Sequence, residues 1–407
     1  MRLREQLDRN ALFGEPEAEE EFRRGLGEGL RDGSAESRGN EPVEIVFGER
    51  APEAIGRVLA SLWTRRPVLL ASPDWGEWSW GAVRRHAPQG VAPGSVLVRT
   101  GGSSGEPKFA VHDWSTLEAA ARQLWEHLGR EPLSASLELP LYHVSGWMPV
   151  LRAAVSGGRL AARPGRTFLE RLPGTKTASV VPTTLFRGLR NDDKLAEWEA
   201  ADRIFAGGAP FSEGLLAEAR RRRLPLSPAY GLTETAAMVA LQDPDEFLGG
   251  GEVEWKTFGE NRFHLAADGR LLVRSPQLFR GYWGGDPVER GAWWETGDHA
   301  VPGPNGGFRP TGRIGRFVSS GGETVSLDKV EAAVRRLEGV EDAWAGAWAD
   351  LEWGQRVILA VVAAEDRDWR EELRGVLDPH ELPALVRHVR EIPRTAAGKV
   401  DPDRLFG

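Results

Sequence analysis

Between residues 43 and 230, short aliphatic runs alternate with stretches of helical spacing. No other feature of the chain constrains its fold as much. Val43 to Phe47, Pro67 to Ala71, Ser95 to Arg99 and Phe109 to His112 read as strands. Ala51 to Thr64 places Ile55, Val58, Leu59 and Leu62 at helical spacing. Ser115 to Leu128 reads as an amphipathic helix, with Ser115 as N-cap and Glu118 at the capping-box position. Ala178 to Val181, Arg203 to Ala206 and Pro225 to Ala229 continue the series of strands. Strands that alternate with helices predict an α/β domain with a largely parallel sheet.

The pattern changes after Gly250. Arg262 to Leu265 and Leu271 to Val273 are short and separated by Gly and Asp-Gly turns, which predicts a β-rich subdomain over about 250–312. Beyond Arg313, a helix is expected over Leu327 to Leu337. Strands follow over Val340 to Trp348 and Val357 to Ala364, and helical turns over Glu371 to Val376 and Pro383 to Val386. The expected organisation is a large N-terminal α/β domain over 1–314, containing the β-rich subdomain, and a small mobile C-terminal α+β domain over 315–407. The first forty residues are charged and Gly/Ser-rich and are expected to be peripheral, with at best a surface helix over Glu17 to Arg31.

Composition removes several function classes. The net charge of −8 argues against nucleic acid and membrane surfaces as partners, since both call for a basic face. The chain contains no cysteine, so disulfide scaffolds, cysteine zinc sites and thiol nucleophiles are excluded. No run reaches the ~20 apolar residues of a membrane span, and the N-terminus has no apolar signal core. A cytoplasmic enzyme is the expectation, and a homo-oligomer is compatible with it.

The segment Thr100-Gly101-Gly102-Ser103-Ser104-Gly105-Glu106-Pro107-Lys108 lies between two expected strands. Its glycines let a backbone approach a ligand closely. Its hydroxyls and N–H groups can donate to phosphate oxygens, and Lys108 adds a positive charge. It is not a Walker A loop, because the Gly-Lys-Ser/Thr ending is missing. By composition alone it fits a hairpin loop equally well. Gly207-Gly208-Ala209-Pro210 and Tyr230-Gly231-Leu232-Thr233-Glu234-Thr235 each follow an expected strand. They place backbone and an aromatic ring at the C-terminal ends of a parallel sheet, where open α/β folds bind ligands. Taken alone, Thr233 and Glu234 also read as a helix cap with a first-turn acid. Three further segments remain: Pro140-Leu141-Tyr142-His143-Val144-Ser145-Gly146, Glu295-Thr296-Gly297-Asp298 followed by Gly312-Arg313-Ile314-Gly315-Arg316, and Pro393-Arg394-Thr395-Ala396-Ala397-Gly398-Lys399. Individually they read as a core histidine, a turn and a solvated tail lysine.

Together and in this order, the segments resemble the adenylate-forming superfamily of acyl-CoA synthetases, luciferases and peptide-synthetase adenylation domains. Phe109 stands where that superfamily usually has Gly, and Gly315 where it has Asp, Lys or Ser. The resemblance implies that Thr100 to Gly105 and Lys108 hold the phosphates of ATP. It implies that Gly208 and Ala209 flank the adenine, Tyr230 stacks on it, and Thr233 touches the α-phosphate. By the same resemblance Glu234 holds Mg²⁺, Asp298 takes the ribose hydroxyls, and Arg313 reaches ribose or phosphate. Lys399 would bridge the acyl carboxylate and the α-phosphate, Gly315 would be the hinge, and His143 would gate an acyl pocket that includes Ser145 and Gly208.

The runs Leu139 to Gly146 and Ser319 to Val325 look most like the 2-succinylbenzoate–CoA ligase family of menaquinone and phylloquinone biosynthesis, with Thr324 where an Asn is usual. That resemblance implies an ATP-dependent, AMP-forming acid–thiol ligase, with coenzyme A as co-substrate and a carboxylic acid as small-molecule partner. Arg187 lies four residues after Thr183, so both share a helix face, and its guanidinium would clamp a second carboxylate. Arg187 also reads as a surface arginine. Other readings are a CoA ligase for another aryl or alkyl acid, a stand-alone adenylation enzyme that loads a carrier protein, and a degenerate nucleotide-binding regulator. Retention of Lys108, Glu234, Asp298, Arg313 and Lys399 argues against the last.

Overall fold

The computed structural model describes residues 11–32, 43–47, 52–72, 75, 77–100, 108–161, 169–208, 211, 213–313, 316–320, 323–350, 354–374, 376–377, 381–394 and 400–406. The chain forms two compact units. One comprises Met1–Ala209, Arg222–Phe263 and Val273–Trp294, and the other Pro210–Arg221, His264–Leu272 and Glu295–Gly407. The stretch 250–312 is thus divided between them.

The first unit holds two sheets. In the smaller, the strands Glu44–Phe47, Val68–Ala71, Val96–Arg99 and Phe109–His112 lie side by side in that order. The first three are parallel, and the last returns antiparallel to its neighbour. In the larger, parallel strands run in the order Leu226–Leu232, Arg203–Ala206, Thr175–Val180, Leu133–Ser136 and Leu160–Ala161. Ala237–Leu241 and Lys256–Thr257 extend that sheet with antiparallel pairing. The helices Trp114–His127 and Val144–Ser156 contribute Leu117, Ala121, Trp147 and Leu151 to a core that also takes Val68, Val96 and Ala135 from the two sheets. Val68, Leu70, Val96 and Val98 face this core while Leu69, Ala71 and Leu97 join another, so Val68–Ala71 and Val96–Arg99 read as continuous hydrophobic runs.

Three expectations need correction. Within the N-terminal segment, residues 11–32 are not peripheral. The helix Pro16–Asp32 buries Ala18, Phe22 and Leu26, one residue per turn, in the main core together with Leu12 and Phe13. It lies so close to the helix Pro52–Thr64 that a Cβ on Gly56 would come 2.3 Å from the carbonyl oxygen of Phe22. The cap of the helix Trp114–His127 is not Ser115 with Glu118. Asp113 caps it, accepting from the Thr116 N–H at 3.0 Å, while the Asp113 N–H donates back to Thr116 Oγ1. Finally, Pro383 to Val386 is not helical. Leu385–His388 is a strand, parallel to Gly354–Ala363. Four residues are too few for periodicity to separate helix from strand.

In the second unit, Glu323–Ser326, Phe317–Ser320, Gly354–Ala363 and Val340–Asp350 form an antiparallel sheet with Leu385–His388 beside it. The helix Leu327–Arg335, capped by Ser326, packs Val330 and Val334 into this unit's own core with Ala343, Leu359 and Val361. Arg316, the residue after Gly315, donates to Asp328 and Glu331 on that helix at 2.5 and 2.6 Å. Gly315 itself lies outside the described residues.

Candidate active site

The loop that bears the phosphate-binding motif is closed by a tight antiparallel pair. Arg99 faces Phe109 across the ladder, and the Thr100 N–H donates to the Lys108 carbonyl at 2.9 Å. Gly101, Gly102, Ser103, Ser104 and Gly105 lie outside the described residues. Lys108 is exposed, and its ammonium sits 5.0 Å from the ring centroid of Tyr282. The Tyr282 hydroxyl donates to Glu234 Oε1 at 2.7 Å. Two predicted site residues far apart in the sequence, Lys108 and Glu234, therefore converge on one tyrosine. Sequence reasoning missed Tyr282. Its signal was the Gly281-Tyr282-Trp283 triplet, whose backbone joins the strand Phe109–His112: Val111 N–H donates to Gly281 at 3.0 Å and Trp283 N–H to Phe109 at 2.9 Å.

Thr233 and Glu234 stand in a single 3-10 turn, Thr233–Thr235, at the end of the strand Leu226–Leu232. Tyr230, half-buried on that strand, packs with Val239, Val273, Leu278 and Trp294. Gly231 must be glycine, since a Cβ would fall 2.0 Å from the Ala237 carbonyl oxygen. Gly208 takes a φ of 82° two residues after the strand Arg203–Ala206, and its neighbour Ala209 lies outside the described residues. His112 is fully buried between the Thr233 carbonyl and the Thr116 hydroxyl. Burial pushes its imidazole down to about 4, so the ring is neutral.

His143 stands at the N-cap of the helix Val144–Ser156, 4.6 Å from the ring of Tyr142, with Ser145 half-buried beside it. Burial, assisted by the charge of Arg99, pushes His143 down to about 4. A Cβ on Gly146 would sit 2.0 Å from the Pro140 carbonyl, so glycine is required for the chain to fold back onto this helix. Two turns further along, the same helix carries Arg152, which sequence reasoning also missed. Arg152 is 5% exposed, and no carboxylate pairs with it among the described residues. Its guanidinium lies over the Phe205 ring at 5.5 Å, its Nε has no hydrogen-bond partner, and burial pushes it down to about 10. Arg187, the predicted clamp, is exposed on the short helix Pro182–Gly188, which also contains Thr183.

The second unit presents its predicted residues on a hairpin. Asp298, 7% exposed, stands directly opposite Arg313 in the antiparallel pair Trp294–Pro302 and Phe308–Arg313. Its own N–H donates to Thr296 Oγ1 at 3.1 Å. Lys399 lies outside the described residues, between Arg394 and Val400, which bridge.

The AMP-binding enzyme family model matches residues 64–283, more than half of the chain, and the AMP-binding enzyme C-terminal domain matches residues 329–399. The chain belongs to the AMP-binding enzyme family. Among relatives of this AMP-binding enzyme is a probable 2-succinylbenzoate–CoA ligase of Mycobacterium tuberculosis, 28% identical over 359 residues that cover 82% of this chain and 89% of the relative. Its fold matches O-succinylbenzoate coenzyme A synthetase from Bacillus subtilis in complex with AMP, with a TM-score of 0.80 at 18% identity over 100% of this chain and 98% of that one. The same Bacillus enzyme in complex with ATP and magnesium ion gives a TM-score of 0.76 at 18% identity, over 95% of this chain and 94% of that one.

The residues of this AMP-binding enzyme suit magnesium. Mg²⁺ is a hard cation held through one or two carboxylates, with water and phosphate oxygens completing the shell. Glu234 supplies such a carboxylate, and the described residues offer no cluster of three or more His, Asp or Glu that would make an all-protein cage. No helix among them is long and apolar enough to cross a membrane.

Proposed function

We propose that this chain is an AMP-forming ligase that adenylates 2-succinylbenzoate and transfers it to coenzyme A. The observation that carries the substrate class is Arg152. A guanidinium at 5% exposure with no carboxylate partner among the described residues is a buried positive charge that they do not neutralise. The helix bearing it starts at His143, the residue assigned to the acyl pocket. A diacid uses one carboxylate for chemistry and offers the second to such a cation. The similarity to 2-succinylbenzoate–CoA ligases supports the same reading.

In the first half-reaction, a carboxylate oxygen of the acid attacks the α-phosphorus of ATP, and pyrophosphate leaves. Lys108 and the N–H groups of residues 100–105 hold the phosphates, Thr233 donates to the α-phosphate, and Lys399 bridges the attacking carboxylate and the α-phosphate. Asp298 and Arg313 hold the ribose, while Gly208, Ala209 and Tyr230 hold the adenine. Glu234 would hold Mg²⁺, which when bound neutralises charge on the phosphates. Positioned charges and dipoles of this kind supply most of the stabilisation in such a transfer. In the second half-reaction, the thiol sulfur of coenzyme A attacks the acyl carbon and AMP leaves. Residues 315–407 act as the mobile domain, turning about Gly315 so that Lys399 serves only the first step. A cytoplasmic location completes the proposal.

The test is pyrophosphate release from ATP and Mg²⁺ with a panel of acids, with and without coenzyme A. Selective turnover of 2-succinylbenzoate over benzoate is expected, and loss of that selectivity in Arg152→Ala. Equal turnover of monoacids by the wild type would overturn the substrate assignment and leave an AMP-forming ligase for another acid.

A further inference from the structure

The turn that bears Thr233 and Glu234 runs straight into backbone that its residues disfavour. The two residues after it, Ala236 and Ala237, both have positive φ, 46° and 75°. Left-handed backbone brings a Cβ too close to the following carbonyl oxygen and is disfavoured for any residue but glycine. Two alanines in succession persist there only if the surroundings hold them.

Every carbonyl of the turn is held from outside it. Thr233 accepts from His112 Nε2 at 2.8 Å, Glu234 from the Phe279 N–H at 2.8 Å, and Thr235 from Gln277 Nε2 at 2.5 Å. Gln277 is fully buried. It also donates to the Met238 carbonyl at 2.9 Å and accepts from Gln123 Nε2 at 3.0 Å. Since a carbonyl only accepts, Nε2 of His112 carries the proton. Nδ1, 3.0 Å from Thr116 Oγ1, is then the acceptor of a neutral ring. His112 ends the strand that begins at Phe109, immediately after Lys108. It therefore links the phosphate-loop hairpin to the turn that bears Glu234.

We infer that His112 and Gln277 are positioning residues for adenylation. They hold the Thr233–Thr235 turn, which runs into the strained Ala236 and Ala237, from its two sides, so that Thr233 and the Glu234 carboxylate stay in register with Lys108. The inference rests on the ATP chemistry proposed above, but not on the identity of the acid.

The experiment measures binding of ATP by calorimetry at increasing Mg²⁺, with no acid present, together with hydrogen exchange over residues 233–238. His112→Leu removes the donor, whereas His112→Gln keeps an N–H able to reach the Thr233 carbonyl. His112→Leu is expected to raise the Mg²⁺ needed for half-saturation about tenfold, the equivalent of one lost buried hydrogen bond, and to speed exchange across the turn. His112→Gln is expected to stay within about twofold of wild type, because it keeps that bond. Gln277→Met, which releases the other side, should behave as His112→Leu does, and it carries the test if that variant does not fold. A merely structural role would lower stability without moving the Mg²⁺ requirement of the folded fraction. An unchanged Mg²⁺ requirement in the folded variants overturns the inference, as does a His112→Gln variant as impaired as His112→Leu. A wild type that binds ATP with Mg²⁺ yet ignores 2-succinylbenzoate would sink the substrate assignment alone. A wild type that binds no ATP would sink both.

Discussion

The Tyr282 hydroxyl donates to Glu234 Oε1 at 2.7 Å while its ring lies 5.0 Å from the Lys108 ammonium. One side chain thereby sets the spacing between the carboxylate assigned to magnesium and the lysine assigned to phosphate. Tyr282→Phe keeps the ring and loses the hydrogen bond. Its cost is about 1–1.5 kcal/mol, or roughly a tenfold fall in acid-dependent pyrophosphate release. The thermal midpoint should scarcely move. Steady-state rates at saturating ATP, taken with melting curves of both proteins, check this.

Arg152 makes a different prediction, because its charge opposes folding until an anion compensates it. Arg152→Met replaces the buried guanidinium with an apolar side chain of similar length. The free protein should gain on the order of 1 kcal/mol. That gain appears as a melting temperature higher by about 2–4 °C. The same variant should raise KM for 2-succinylbenzoate by about tenfold or more, the value of one charge-assisted hydrogen bond. A stabilised protein with a weakened diacid site is the paired outcome. A destabilised variant with unchanged KM would assign Arg152 to packing over Phe205.

The pH dependence follows from His112. Burial, the dominant cause, opposes protonation of the ring, as does the charge of Arg280. The Thr233 carbonyl and the Asp113 carboxylate favour it, and the balance lies at about 4 against an ordinary value of 6.5. The folded state thus binds its proton less readily than the unfolded chain. Stability is complete above pH ~6.5 and is lost as pH falls toward 4, by up to about 3 kcal/mol for this group. Denaturant midpoints of wild type and His112→Gln, measured from pH 4 to 8, should agree near pH 8 and separate toward the acid end, where only the wild type loses this stability. Parallel curves would remove His112 from the acid response.

Much of this arrangement was legible in the sequence. The strand Phe109–His112 and the glycines at 208 and 231 carry strong local signals, an apolar run between turn residues and backbone that only glycine tolerates. What stayed hidden depends on distant partners. Ser115 and Glu118 match the capping pattern as well as Asp113 and Thr116 do. Arg280, 167 residues away, favours Asp113 by pairing with its carboxylate at 2.7 Å. Arg152 went unnoticed because only the packing of the helix Val144–Ser156 buries it, whereas Arg187, the residue expected to clamp a second carboxylate, is exposed. Leu385–His388 is a strand because the edge of Gly354–Ala363 is open to it, and four residues cannot announce that edge.

The helix Pro16–Asp32 gives the last prediction. Its charged residues suggest a surface element, yet Phe22 is fully buried and its ring centroid lies 5.8 Å from that of Phe13. Phe22→Ala leaves a cavity that its neighbours fill only in part, at a cost of about 3–5 kcal/mol. Gly56→Leu acts on the same contact from the other side. Its Cβ would meet the Phe22 carbonyl, which is backbone and cannot step aside, so the two helices must part. Both variants should unfold at clearly lower denaturant than wild type, whereas Glu20→Ala, on the exposed face, should change stability by less than about 0.5 kcal/mol. Equal midpoints for all three would return this helix to the periphery.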